Sequence, residues 1–72
     1  MTFSEAKEKA QEAVSEMGLN IGSALDDGKY YIFGYEEEAD IPPVGIDKAT
    51  GEVIFYHPPD HLDDYLNAKE VE

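Results

Sequence analysis

The segment from Pro43 to Tyr56, PVGIDKATGEVIFY, is predicted to form a β-hairpin, and it restricts the fold more than any other stretch. Its strands are expected at Pro43–Asp47 and Glu52–Tyr56. The aspartate that starts the turn can hydrogen-bond its own backbone, and Gly51 tolerates the positive φ that closes a bulged hairpin. The first strand carries its aliphatic side chains on one face, whereas the second is apolar on both. The rest of the chain is therefore expected to cover this hairpin.

Composition allows one small domain and limits its partners. The 72 residues include no cysteine, so neither disulfides nor thiolate-bound metals can stabilise the fold. Seventeen acidic residues face only five basic ones, all lysines, and the formal net charge is −12. Because binding to nucleic acid or to an anionic membrane requires clustered Lys and Arg, neither partner is expected. The charge favours a basic protein partner or simply high solubility.

The N-terminal segment is predicted to form a helix from Phe3 to Met17. Thr2 and Glu5 fit a capping box, and Gly18 is a natural C-cap. Apolar residues recur at helical spacing: Phe3, Ala6, Ala10, Ala13, Val14 and Met17. A second series lies on the opposite side: Glu5, Glu8, Glu12 and Glu16. This series is interpreted as a solvated face, with a binding ridge as the alternative.

Two further strands are predicted between this helix and the hairpin. Leu19–Leu25 alternates weakly, with an irregularity at Gly22, and a turn at Asp26–Lys29 connects it to a strongly apolar strand at Tyr30–Tyr35. The side chains of the second strand divide between two faces: Tyr31, Phe33 and Tyr35 on one, Tyr30 and Ile32 on the other. One set is expected to face the helix, and the other to form an apolar surface on the opposite side.

A short helix is expected to close the chain, from Pro59 to about Lys69, with the last residues frayed. Its buried side is predicted to carry Leu62, Tyr65 and Leu66. The element order is then α-β-β-β-β-α within a single domain, residues 1–72. We predict an α+β two-layer sandwich, in which an antiparallel meander of three to four strands carries the N-terminal helix across one face.

No catalytic motif stands out, and neither an enzyme nor a cofactor is expected. The acidic residues form no distinctive pair, and the serines lie outside any nucleophile motif. His57 and His61, with Asp60 and Asp64 nearby, offer an alternative hypothesis of a small metal site. Because the break at the two prolines separates the histidines, they are interpreted as surface residues, and no metal is predicted.

Surface recognition is the remaining candidate function. The densest acidic cluster follows the aromatic strand directly and consists of Glu36, Glu37, Glu38 and Asp40. It is either a partner-binding loop or a solvated loop that protects a sheet edge. The candidate aromatic contacts are Tyr30, Tyr31, Tyr35 and Tyr56, on whichever face the helix leaves open.

Four segments together resemble a bacterial immunity-protein family of polymorphic toxin systems: FSEAKEKAQEAVSEMG, KYYIFGY, PVGIDKATGEV and DHLDDYLNA. The hairpin positions that match the family pattern are Pro43, Asp47, Lys48, Thr50, Gly51, Glu52 and Val53. The chain departs from that pattern before Pro43, where its acidic loop replaces a longer loop containing Gly-Asn. The resemblance implies a non-enzymatic protein that binds and neutralises a cognate toxin by occlusion.

A second resemblance is to PepSY-type domains, which pair a leading helix with a similar hairpin. It implies, as the alternative, a regulatory or inhibitory module acting on a protease or at the cell envelope. Those domains are often exported, whereas Met1–Ala13 is charged throughout and is not typical of a signal peptide. A cytoplasmic protein is therefore expected, as a monomer or a weak homodimer, since the net charge opposes self-association.

Overall fold

The computed structural model describes residues 1–71, which form two α-helices and five β-strands. In chain order the elements are α1 (Phe3–Ser15), β1 (Ile21–Asp26), β2 (Tyr30–Tyr35), β3 (Val44–Asp47), β4 (Val53–Phe55), a 3-10 turn (Pro58–His61), α2 (Leu62–Leu66) and β5 (Lys69–Val71). This architecture confirms the predicted α+β class. The sheet, however, has five strands instead of three to four.

The sheet is antiparallel throughout, with the strand order β4-β3-β2-β1-β5. The first four strands form the predicted meander. The fifth strand, β5, follows α2 and pairs with β1 on the side away from β2. In this pair Ala24 lies opposite Val71. The two edges of the sheet are therefore β4 and β5, which contribute three residues each.

Helix α1 begins at the predicted capping box. The Thr2 hydroxyl accepts a hydrogen bond from the Glu5 N–H at 3.2 Å, and the Glu5 carboxylate accepts one from the Thr2 N–H at 2.9 Å. The helix ends at Ser15, two residues before the predicted end at Met17, and the chain reverses through Gly18 at φ 74°. Because the helix stops there, Met17 leaves the buried stripe and is 46% exposed.

The main core lies between α1 and one face of the sheet. Small side chains on the helix allow it to approach the sheet closely, and the fully buried residues of this layer are Ala6, Ala10, Val14, Phe33, Val44 and Ile46. The face that carries Tyr31, Phe33 and Tyr35 is thus the one covered by α1. Aromatic packing extends the layer, because the Phe3 ring stacks on Phe33 at 5.7 Å.

The second face of the sheet is covered by the C-terminal segment. The Tyr56 side chain is fully buried, and its ring stacks on that of His61 at 4.5 Å. Its hydroxyl donates a hydrogen bond to Asp27 Oδ2 at 2.7 Å. Ile32, which points to this side from the centre of the sheet, is only 2% exposed. The apolar surface predicted opposite the helix is therefore a second, smaller core.

The hairpin that dominates the sequence is present with strands slightly shorter than predicted. Asp47 Oδ1 accepts hydrogen bonds from the N–H groups of Ala49 and Thr50, at 2.8 and 3.0 Å. Gly51 has φ 77° and donates to the Asp47 carbonyl at 2.8 Å. The irregularity predicted at Gly22 is also present, as a shift of register between Ile21 and Ala24.

The predicted short C-terminal helix is confirmed, but its extent and two of its three predicted buried residues are wrong. It ends at Leu66, and Lys69–Val71 forms β5 in place of a helical turn and frayed end. Leu62 and Leu66 are 55% and 71% exposed, and only Tyr65 is half-buried. The physical reason is tertiary: the open edge of β1 offers backbone pairing, and Val71 packs against the main core.

Candidate binding surface

The acidic loop after β2 is only partly free to bind a partner. The Glu37 carboxylate accepts hydrogen bonds from the backbone N–H and the side-chain amide of Asn20, at 2.9 and 2.8 Å. These bonds lower the pKa of Glu37 below its ordinary value. Glu36, Glu38 and Asp40 are exposed. Glu37 therefore fastens the loop to the start of β1, and the other three carboxylates face solvent.

Tyr35, next to this loop, contributes more to the fold than to a free surface. Its side chain is half-buried and packs against the main core beneath α1. Its hydroxyl donates to the Pro42 carbonyl at 2.8 Å, which ties the far end of the acidic loop to β2. Burial raises the pKa of Tyr35. The tyrosine and the acids are brought together, but the hydroxyl already has its hydrogen-bond partner.

Tyr30 and Tyr56 lie on the opposite side of the sheet from Tyr35, next to each other. Their rings are 5.8 Å apart in an edge-to-face arrangement, and both contact His61. Burial, followed by the hydrogen bond to Asp27, raises the pKa of Tyr56. With no exposed side chain, Tyr56 holds the C-terminal segment on the sheet, while Tyr30 remains half-buried.

The Asp27 carboxylate accepts hydrogen bonds from several groups that border this second core. Partial burial opposes its ionisation, but donors from Tyr30, Tyr56 and Lys29 outweigh that effect and lower the pKa of Asp27. Its Oδ1 atom accepts from the N–H groups of Tyr30 and Lys29, at 2.6 and 2.8 Å. The carboxylate thus closes the β1–β2 turn and positions Tyr56 at the same time.

Most acidic side chains in residues 1–71 form no ion pair. Residues 1–71 contain sixteen of the seventeen acids, all except Glu72, and in this range one ion pair forms, between Lys48 and Asp26 at 2.8 Å. Other lysines serve the fold: Lys9 donates to the Gly51 carbonyl at 2.8 Å, and Lys29 lies over the Tyr30 ring. Most carboxylates therefore face solvent without a basic partner.

The two histidines are not brought into a metal-binding cluster. His57 is exposed, and His61 stacks on Tyr56. Over residues 1–71, no group of three or more His, Asp or Glu side chains is close enough together to hold a metal ion.

The exposed apolar residues of the edge strand β4 were missed in the sequence. Val53 is 41% exposed and Phe55 is 49% exposed, although the rest of the chain was expected to cover the hairpin to which they belong. The signal was present in the element order, because the last strand of a meander lies at an edge. An edge strand without a charge on either of these residues is unusual, since exposed edges are normally protected.

Comparisons with protein-family models, with curated proteins and with solved structures give no match for this chain. The two family resemblances therefore remain predictions, and function has to be argued from the surface itself. No helix within residues 1–71 has the length and hydrophobicity needed to cross a membrane.

Proposed function

We propose that this chain is a small acidic, non-enzymatic binding protein of the immunity type, which neutralises a basic cognate toxin by covering its surface. The observation that carries the proposal is the uncompensated charge: one ion pair among sixteen acids in residues 1–71. Such a surface has a strong field, which speeds the encounter with a basic partner and disfavours acidic ones.

The distribution of the perturbed pKa values supports binding in preference to catalysis. Perturbed groups in enzymes gather in a cleft, where they do the chemistry. Here the perturbed acids have structural roles, since Glu5 caps α1, Asp47 closes the β3–β4 turn, Glu37 fastens a loop and Asp27 anchors Tyr56. Many of the other carboxylates lie at exposed positions, where they contribute to the negative field that attracts a basic partner.

The resemblance to the immunity family supplies the kind of partner. Its hairpin pattern coincides with β3, the turn at Asp47–Gly51 and the start of β4, which form a well-defined unit of the fold. On this proposal the toxin is recognised through surface contacts, and no covalent intermediate forms. The basic surface of the toxin faces the carboxylates of this chain.

The test is a survival assay with the product of the neighbouring gene. That product is expressed in a test bacterium with and without this chain, and colony counts are compared. We expect killing that this chain relieves, and an association between the purified proteins whose rate falls as salt is raised. A neighbour that kills equally in the presence of this chain, or an association rate insensitive to salt, would contradict the proposal.

A further inference from the structure

Strand β4 leaves one side of its backbone unpaired. The bonds from Asp47 N–H to Glu52 (2.9 Å) and from Tyr56 N–H to Pro43 (2.7 Å) identify the residues whose backbone groups point toward β3. In an antiparallel pair these residues alternate with residues that point outward. Val53 and Phe55 therefore direct their N–H and C=O groups away from the sheet, and no strand within residues 1–71 pairs with them.

The side chains of this edge form an apolar strip. Val53 lies opposite Ile46 and Phe55 opposite Val44, so both point to the face that α1 covers. Helix α1 leaves both partly uncovered, since 41% of the Val53 surface and 49% of the Phe55 surface are exposed. An aromatic and a β-branched side chain beside free backbone groups are what an added strand would pack against.

A groove between α1 and β4 is lined by charged side chains and lies beside this edge. It has a volume of about 410 Å³ and is lined by Lys9, Glu12, Ala13, Glu16 and Val53. Lys9 is occupied by its hydrogen bond to the Gly51 carbonyl. Glu12 and Glu16 are exposed, and in residues 1–71 neither forms an ion pair. With two glutamates and one lysine the groove is net acidic, and Ala13 and Val53 add apolar lining.

We propose that an extended basic segment of the partner adds to the sheet as a further strand along β4. Its backbone forms hydrogen bonds with the outward N–H and C=O groups of Val53 and Phe55. On the α1 side, an apolar side chain covers Phe55, and a Lys or Arg two residues away lies beside Val53 and reaches Glu12 and Glu16. This inference rests on the proposed function, because it names the surface through which the basic partner is held.

Charge selects this occupant over a second copy of the chain. Pairing β4 with the β4 of another copy would satisfy the same backbone groups, but it would bring two acidic grooves together, in molecules that each carry a net charge of −12. A basic segment gains both the backbone bonds and the ion pairs. A partner of this chemistry therefore fits the edge better than self-association.

The probe is a short synthetic peptide with the repeat Lys-Thr-Val-Thr, whose lysines and valines fall in turn on one face of an extended strand. It is titrated into the isotope-labelled protein and followed by NMR. The control peptide has glutamate in place of every lysine. We expect saturable shifts of the Val53 and Phe55 amide signals with the basic peptide and none with the control. Shifts confined to the acidic loop, or no shifts with either peptide, would overturn the inference.

Two matched variants separate edge binding from bulk charge. Phe55→Lys and Leu66→Lys each replace an exposed apolar residue by lysine, on β4 and on α2 respectively. We expect Phe55→Lys to weaken peptide binding about tenfold, because it removes an aromatic contact and adds a like charge, and Leu66→Lys to leave it nearly unchanged. Equal weakening by the two would overturn the inference. Dispersed amide spectra of both variants would show that each is folded.

The same variants distinguish this inference from the proposed function. If the wild-type chain protects against the neighbouring product and Phe55→Lys protects as well as Leu66→Lys does, the function stands and the β4 site is wrong. If the peptide binds at β4 but the wild-type chain gives no protection, the site stands and the toxin partner is wrong. Light scattering that shows a dimer broken by Phe55→Lys would instead assign the edge to a second copy.

Discussion

The two edges of the sheet differ in how they meet solvent. Strand β5 presents Lys69 and Glu70 along its three residues, whereas β4 presents Val53 and Phe55 with no charge between them. Two of the grooves beside α1 differ as well: the one at β5 is lined by one lysine and one glutamate, Lys7 and Glu70, whereas the one at β4 is lined by one lysine and two glutamates and is net acidic. Natural proteins often place charge on sheet edges, and the absence of charge on Val53 and Phe55 beside a net acidic groove supports the proposed partner surface.

The edges are also anchored differently. Strand β4 runs directly into Tyr56, which is fully buried and fixed by Asp27, while β5 is held through the half-buried Val71. The edge that we propose for binding is thus the more firmly held of the two. A rigid edge loses little conformational freedom when a further strand is added, which favours binding.

The largest expected effect tests this difference in anchoring. Tyr56→Ala removes the centre of the second core and should lower the free energy of unfolding by about 3–5 kcal/mol. Val71→Ala removes part of a half-buried side chain and should lower the free energy of unfolding by about 1 kcal/mol. Urea unfolding of both variants, followed by circular dichroism, measures the two losses. Equal losses would show that the two edges are anchored alike.

A smaller effect concerns the pH dependence of the β4 anchor. Because the pKa of Asp27 is lowered in the folded state, its ionised form stabilises the fold above the ordinary pKa, and this contribution is lost as the pH falls through the folded value. Asp27→Asn should therefore lower the free energy of unfolding by about 1–3 kcal/mol at neutral pH. This loss relative to the wild type should shrink below a pH of about 4.

The control for that experiment is Asp60→Asn, a change at an exposed aspartate in the 3-10 turn. It removes the same charge without touching Tyr56, and it should leave the free energy of unfolding nearly unchanged at both pH values. If Asp27→Asn and Asp60→Asn behave alike, the carboxylate of Asp27 does not anchor β4.

Local signals predicted most of the fold. The capping box at Thr2, the turn at Asp47–Gly51 and the irregularity at Gly22 each act within a few residues, and all are present. Strand β5 could not be predicted in this way, because Lys69 and Glu70 favour helix by themselves. They form a strand only because β1 lies beside them in the folded chain.

The candidate surface was less predictable for a related reason. Sequence alone shows that Tyr56 is aromatic and that Glu37 is acidic, but whether each is free depends on Asp27 and Asn20, which are distant in the chain. Likewise, an apolar strand such as Val53–Phe55 looks like interior until the neighbours on both sides of it are known. Exposure is a property of the assembled sheet.

The most direct test of the central claim is hydrogen exchange at the amides of β4. In the free protein we expect the Ile54 N–H, which points to β3, to exchange slowly, and the outward N–H groups of Val53 and Phe55 to exchange fast. Adding the Lys-Thr-Val-Thr repeat peptide should protect the amides of Val53 and Phe55 and leave the β5 amides as they were. Unchanged fast exchange at both residues in the presence of saturating peptide would contradict the account.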